Sequence, residues 1–466
     1  MSALAAGAQR ILRSRRVVTP EGERPGCLVV REGRIAALLP WEADVAITDE
    51  LGERALLPGL VDTHVHVNDP GRSDWEGFRT ATRAAAAGGI TTIVDMPLNS
   101  IPATTTTAAL RAKVAAMAGQ LHVDAGLWGG LVPGNAAELA PLAAAGALGF
   151  KCFLSPSGVD EFPNVGEADL CTALPALAAL GLPLLAHAED PAQLLALPGS
   201  TRRYADWLAS RPPAAEAEAI GMLARLALES GVHVHVVHVA SSAAVAALVA
   251  GRTALRGSAG ARGRLTAETC PHYLFFAAGE IADGDTRFKC APPIRDAGER
   301  LALRRALLGH ELELVASDHS PAPGALKDLA GGDFARAWGG IASLEFSLSA
   351  TWTAMRDTGA SLRDLARWMS REPAKLAGLG ARKGAIAPGF DADLVAFDSQ
   401  VHWTPVAAVQ QRHPLTPYAG RPLRGRVFGT WLRGERVYDG AEPCGAPAGL
   451  WQRNGAEPVD PARAFA

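Results

Sequence analysis

Polar and apolar positions alternate in short runs at both ends of the chain, and a different texture fills the middle. Residues 10–18 (RILRSRRVV) and 27–39 (CLVVREGRIAALL) read as strands, punctuated by the turn-like pairs Glu21-Gly22 and Glu32-Gly33. The pattern returns in GAIAPGFDADLVAFD at 384–398 and GTWLRGERVYDG at 429–440. Two β-rich ends around one long middle predict a small domain assembled from both ends. The middle alternates short apolar runs with Ala/Leu-rich stretches such as ATTTTAALRAKVAAMAG and EAEAIGMLARLALESG. Strands are expected at 60–67, 90–96, 122–131, 149–154, 182–187, 233–239, 265–270 and 313–318. Eight strands separated by helices predict an α/β fold, a (β/α)8 TIM-like barrel rather than a doubly wound sheet. After Gly440, the residues Pro443, Pro447, Pro458 and Pro461 predict an irregular tail.

Composition narrows the class. The 466 residues are 48% hydrophobic and 20% charged, which excludes disorder as the dominant state. The net charge is −3 and no Lys/Arg stripe exists, so neither a nucleic-acid partner nor a membrane-surface role is expected. Six scattered cysteines form no C-x-x-C pair, which fits a reducing cytoplasm. No apolar run reaches 18 residues, so no transmembrane helix is expected. The first 19 residues carry four Arg and no acid, as transit peptides do, but alternation from Arg13 to Thr19 favours a strand.

The chemistry-bearing positions fall where the middle strands end. Pro58-Gly-Leu-Val-Asp-Thr-His64-Val-His66 closes the first, and alternate strand residues share a face, so His64 and His66 point together with Asp62 behind them. Two imidazoles one pleat apart can hold one divalent ion, and barrels build active sites at this end; the alternative is a pair of half-buried core histidines. Lys151 stands among apolar neighbours in Gly-Phe-Lys-Cys-Phe. Burial there favours a neutral amine, which can condense with carbon dioxide to a carbamate that bridges two ions. The alternative is a lysine that snorkels to the rim.

His187 ends the fifth strand. In the sixth, His233 and His235 share one face and His238 the other, which leaves rival ligand choices. His238 is preferred because it lies nearest the strand's C-terminal end, and His233 and His235 are expected to be structural. Asp318, in Ser317-Asp-His319-Ser-Pro, offers a carboxylate ligand that also moves protons; His319 beside it contacts substrate or braces the loop. Four His, one Lys and one Asp suffice for two divalent ions, which about 3.5–4 Å apart activate water and polarise a carbonyl.

With these residues in place, the sequence resembles the cyclic amidohydrolases of the amidohydrolase superfamily: hydantoinases, dihydropyrimidinases, dihydroorotases and, most similar, allantoinases. The likeness spans about residues 10–440. It is carried by HVNDPGRSDWEGFRTATRAAAAGGITTIVDMPLNSIPATT, GFKCFLSPSG, ETCPHY, KCAPPIRD, SDHSPAP and AWGGIASLEF. It implies a barrel over 58–384 and a β-sandwich from 1–57 and 385–466, the latter ending in the tail. It also implies metal ligands at His64, His66, Lys151 (as N6-carboxylysine), His187, His238 and Asp318, with Asp318 catalytic. The implied ions are zinc, with cobalt, manganese or iron as alternatives. The implied activity opens the hydantoin ring of allantoin to allantoate, in a cytoplasmic homotetramer. Substrate contacts are expected among Asn68, Arg72, Asn99, Ser155, Ser317 and His319.

Two departures sort the relatives. Dihydroorotases carry an Arg where this chain has Asn68, and hydantoinases usually place a Tyr where it has Pro156. Both favour a neutral polar ring. The alternatives are a hydantoinase or dihydropyrimidinase acting on another cyclic amide, or a non-catalytic scaffold. Retention of all six ligand positions argues against the scaffold.

Overall fold

The computed structural model describes residues 9–258 and 260–465; the first eight residues of the N-terminal stretch, to which the transit-peptide comparison applied, lie outside them. Four strands open the chain: β1 (Arg10–Thr19), β2 (Gly22–Arg31), β3 (Arg34–Leu39) and β4 (Asp49–Pro58). The turn between β2 and β3 is Glu32-Gly33, with φ of 50° and 75°. Two positive φ values in a two-residue loop match the right-handed twist of paired strands. Glycine takes the second at no steric cost.

The middle supplies β5 (Leu60–Val65), β6 (Ile90–Asp95), β7 (Asp124–Leu127), β8 (Gly129–Gly130), β9 (Phe150–Phe153), β10 (Leu184–His187), β11 (His233–Val236), β12 (Arg264–Thr269) and β13 (Leu314–Val315). Each of the eight expected runs holds one of these, and the run at 122–131 is broken in two at Trp128. Pairing is parallel throughout, β5-β6-β7 in one sheet and β8 to β13 in another. An isolated parallel bridge joins Val65 to His319, just beyond β13. Parallel strands packed on both faces read as near-continuous apolar runs, and almost every residue of these strands is buried.

Helices lie between the strands, and the sequence explains their ends. Thr106, Ser241 and Asp296 cap the helices Thr107–Met117, Ser242–Gly257 and Ala297–Leu308, each side chain accepting a backbone N–H of the first turn. Glu167–Leu180 and Pro213–Ser230 stop at Gly181 and Gly231, both left-handed.

After the middle come β14 (Leu394–Trp403), β15 (Leu423–Leu432) and β16 (Glu435–Tyr438). They join the first four strands in one seven-stranded sheet, β16-β15-β14-β4-β1-β2-β3. The tail departs from expectation. Instead of running irregularly, it forms β17 (Trp451–Arg453) and β18 (Ala456–Val459), and Trp451 pairs with Ala125 of β7. Local proline content could not reveal this, because the partner strand lies some three hundred residues away.

One carboxylate ties the pieces together. Buried Asp124 accepts from Lys383 Nζ at 2.8 Å, Arg433 Nη1 at 2.7 Å, Gln452 Nε2 at 2.9 Å and the Leu450 amide at 2.8 Å. Burial alone would raise its pKa, but the two cations outweigh that and hold it at about 2. Lys383 also meets Asp393 at 2.5 Å. Lys383→Met is therefore expected to destabilise the fold by about 3–5 kcal/mol, the cost of leaving buried carboxylates without their cation. Chemical denaturation checks this, and a loss below about 1 kcal/mol would refute it.

Candidate metal centre

His64 sits on β5 and His66 just past its end. The pleat sends both rings the same way, with centroids 5.5 Å apart. Both present Nε2 to one oxygen of Asp318, at 3.2 Å and 3.4 Å. Asp62 stands behind them as expected: its carboxylate accepts the His64 and Ser317 amides at 3.2 and 3.1 Å and so binds β5 to the Asp318 segment. Burial pushes Asp62 up to about 6.

His187 ends β10, and its Nδ1 lies 2.9 Å from Nε2 of His238. The His238 ring centroid lies 5.4 Å from that of His64. His238 arrives by a route that strand parity misjudges. Leu185 registers with both Lys151 and His235, so His235 faces the same side as Lys151 rather than the opposite one. β11 ends at Val236, and His238 takes a left-handed φ of 42°, which turns its ring toward His187. Asp318 does the same beyond β13, at φ 46°. Non-β-branched residues reach this region only at some cost, and such positions gather at functional sites.

Lys151 lies on β9, fully buried, with no hydrogen-bond partner for Nζ among the described residues. Burial pulls its pKa down to about 8, against the raising influence of Glu268 and Asp318. His187 and His238 in turn feel its charge. Its Nζ lies 4.9 Å from the Phe153 ring, which stacks on His187 at 4.5 Å, so Lys151 stands beside the other five expected residues. Asp318 is held well below the carboxylate range: burial opposes ionisation, and the surrounding His64, His66 and His238 outweigh it.

The donor set fits divalent metal. Two nitrogen or oxygen ligands at about 2.1 Å from a tetrahedral ion lie about 3.4 Å apart, close to the 2.9, 3.2 and 3.4 Å separations seen here. His66 Nδ1, His238 Nδ1 and Lys151 Nζ are buried polar atoms without partners among the described residues. His64, His66 and Asp318 alone bring one ligand atom each within 4.8 Å of one another.

A cavity of about 340 Å³ opens onto His64, His66, His187, His238 and Asp318. Of the six expected substrate contacts, Asn99 lines it, with Oδ1 buried and without a partner among the described residues. The other five do not line it. Arg72 donates to the Asn99 carbonyl at 2.8 Å and pairs with Glu161, and Asn68 donates to the Pro321 carbonyl at 3.4 Å. Ser317 donates to the His64 carbonyl at 3.3 Å, and Ser155 is buried. His319 braces the loop, its Nδ1 accepting the Ser343 and Leu344 amides at 3.0 and 3.3 Å.

Several residues escaped the sequence reading. Glu189 accepts from His187 Nε2 at 2.7 Å and is itself held by Arg211. Glu268 accepts from His64 Nδ1 at 2.5 Å. Trp207, Lys289 and Trp338 line the cavity, and Lys289 donates to the Ala337 carbonyl at 2.6 Å, tying down the loop that carries Trp338. The signal available was an acid at the end of an apolar strand, as in Thr266-Ala-Glu268-Thr and His187-Ala-Glu189.

Comparison with known proteins places this geometry. The chain matches the amidohydrolase family over residues 55–437. It is 52% identical over 433 residues to the allantoinase of Streptomyces avermitilis, covering 92% of this chain and 95% of that one. It is 41% identical to the allantoinase of Arabidopsis thaliana over 93% of this chain and 89% of the other. Among solved structures, the L-hydantoinase (dihydropyrimidinase) of Arthrobacter aurescens superposes with a TM-score of 0.88 at 30% identity, covering 95% of this chain and 99% of that one. Agreement in sequence over nearly the full length, and in backbone with a hydrolase of the same architecture, leaves one conclusion: the chain belongs to the amidohydrolase family.

Proposed function

We propose that this protein hydrolyses the ring amide of allantoin, opening the hydantoin ring to allantoate. The observation that carries this reading is the convergence of His64, His66, His187, His238 and Asp318 on one cavity, in a chain 52% identical to an allantoinase. A volume of about 340 Å³ suits a small polar ring. The nine parallel strands β5 to β13, two of them halves of one run, and the Val65–His319 bridge support a closed (β/α)8 barrel over 58–384. The seven-stranded sheet supports a β-sandwich from 1–57 and 385–466.

The family implies a divalent metal, and the donor set supports two ions, zinc by ligand type. His64, His66 and Asp318 would hold one, His187 and His238 the other, and Lys151 as a carbamate would span both. Ions held there activate water and polarise the scissile carbonyl. The chain supplies the rest. Asp318 is ionised at neutral pH, so it accepts the proton of the attacking water and delivers it to the departing ring nitrogen. Asn99 Oδ1 offers an acceptor to an N–H of the substrate. Trp207 and Trp338 line the cavity with apolar surface and limit bulk water around the ring.

The direct test is turnover of allantoin beside 5-monosubstituted hydantoins and dihydrouracil, with metal counted on the same sample. Allantoin is expected to be preferred, with two ions per chain. Preference for another ring refutes the substrate, and full activity with one ion refutes the binuclear centre.

Lys151→Ala is expected to lose activity and to regain part of it with short carboxylic acids, which can occupy the space of the carbamate. Normal activity in Lys151→Arg would refute the carbamate, since a guanidinium stays cationic. Asp318→Asn is expected to keep much of its metal and to lose roughly 10²–10⁴-fold in kcat, because an amide oxygen still coordinates but carries no proton. A variant within a few-fold of the parent would make Asp318 a ligand only.

A further inference from the structure

A chain of hydrogen bonds leaves the site on the side away from substrate. His64 Nδ1 meets Glu268 Oε1 at 2.5 Å, and Glu268 Oε2 meets His235 Nε2 at 3.1 Å. His235 Nδ1 meets the Thr266 hydroxyl at 2.8 Å, and the same hydroxyl meets His233 Nε2 at 2.7 Å. His64, Glu268 and His235 are buried, and His233 is half-buried at the start of β11. His233 and His235 also border a second cavity, whose lining contains neither Asp318 nor His64.

With a single proton on each imidazole, one arrangement satisfies every link. An ionised carboxylate only accepts, so His64 Nδ1–H and His235 Nε2–H both donate to Glu268. Neutral His235 then offers Nδ1 as an acceptor, and the Thr266 O–H donates to it. That hydroxyl has one proton, so it accepts from His233 Nε2–H. The consequence reaches back to the first ring: with Nδ1 protonated, the lone pair of neutral His64 lies on Nε2, the atom 3.2 Å from Asp318.

We propose that Glu268, backed in series by His235, Thr266 and His233, is the positioning device that fixes the tautomer and direction of His64. It thereby sets the affinity for the ion on the His64–His66 side without touching that ion or the substrate. This rests on the metal role of His64 proposed above. Glu189 serves His187 in the same way, so the two halves of the centre have separate supports.

The separation makes the test specific. Zinc affinity is measured by competition with a chromophoric chelator, and ions are counted, for the parent protein and for Glu268→Gln, His235→Asn and His233→Ala. In Glu268→Gln the amide turns a donor toward one imidazole. One of two ions is expected to weaken by about 10–100-fold, the range typical when a carboxylate behind a histidine ligand is lost, while the other stays. The effect should shrink in the order Glu268, His235, His233, and saturating zinc should restore most of the lost kcat. Unchanged affinity in Glu268→Gln, or equal loss of both ions, overturns the proposal. If Glu268→Gln fails to fold, His235→Asn decides alone, because it leaves the Glu268 carboxylate in place: selective weakening of one ion supports the device and unchanged affinity overturns it. A parent protein that binds no divalent ion refutes the metal reading itself, which is a different outcome.

Discussion

Burying charge inside the protein is expensive, and the arrangement of the middle segment follows from how each buried charge is compensated. Asp95 holds Lys113 at 2.6 Å, Glu216 holds Arg295 at 2.7 Å, Glu189 holds Arg211, and Asp124 holds Lys383 and Arg433. Each of these acids has a permanent cation. Asp318 does not: its side-chain neighbours are the His64 and His66 imidazoles. Lys151 is the complementary case, an amine without a hydrogen-bond partner among the described residues. Several buried acids are thus balanced by fixed cations, whereas Asp318, Lys151 and the four histidines around them leave room for a further cation.

The second organising feature is where strands stop. Asn68, Asn99, His238 and Asp318 have φ between 42° and 67°, and they are four of the eight non-glycine residues with positive φ among those described. Each such conformation costs on the order of 1–3 kcal/mol, which the surrounding packing must offset. At His238 and Asp318 the gain is direction. A continued pleat would keep each side chain on the face its parity assigns, whereas a left-handed residue just past the strand turns it into the site. Catalytic geometry is here bound to chain reversal at strand ends, where loops can vary without disturbing the sheet.

Supports behind the proposed ligands complete the picture. His64 and His187 each donate to a buried glutamate, Glu268 and Glu189, and those glutamates have distinct partners, His235 for one and Arg211 for the other. Glu189 has a guanidinium to balance it and Glu268 has only imidazole partners, so the two halves of the centre have different electrostatic surroundings. Loop 335–340, held by Lys289 through the Ala337 carbonyl, also lines the cavity.

What the sequence determined is whatever depends on a few consecutive residues. Alternation marked the end strands, the apolar runs marked all eight middle strands, and Glu32-Gly33 marked its turn, because pleat and turn preferences are local. The pairing of His64 with His66 is equally local, because the two stand one residue apart where β5 ends. The tertiary structure alone decided which side of the sixth strand faces the site, because parity counts hold only while the strand lasts and β11 stops at Val236. It alone seated Trp451 beside β7, set Asn99 at the cavity and Arg72 against Glu161, and put Glu268 behind His64. Those contacts join residues from 89 to more than 300 positions apart, and no periodicity within either segment carries information about the other.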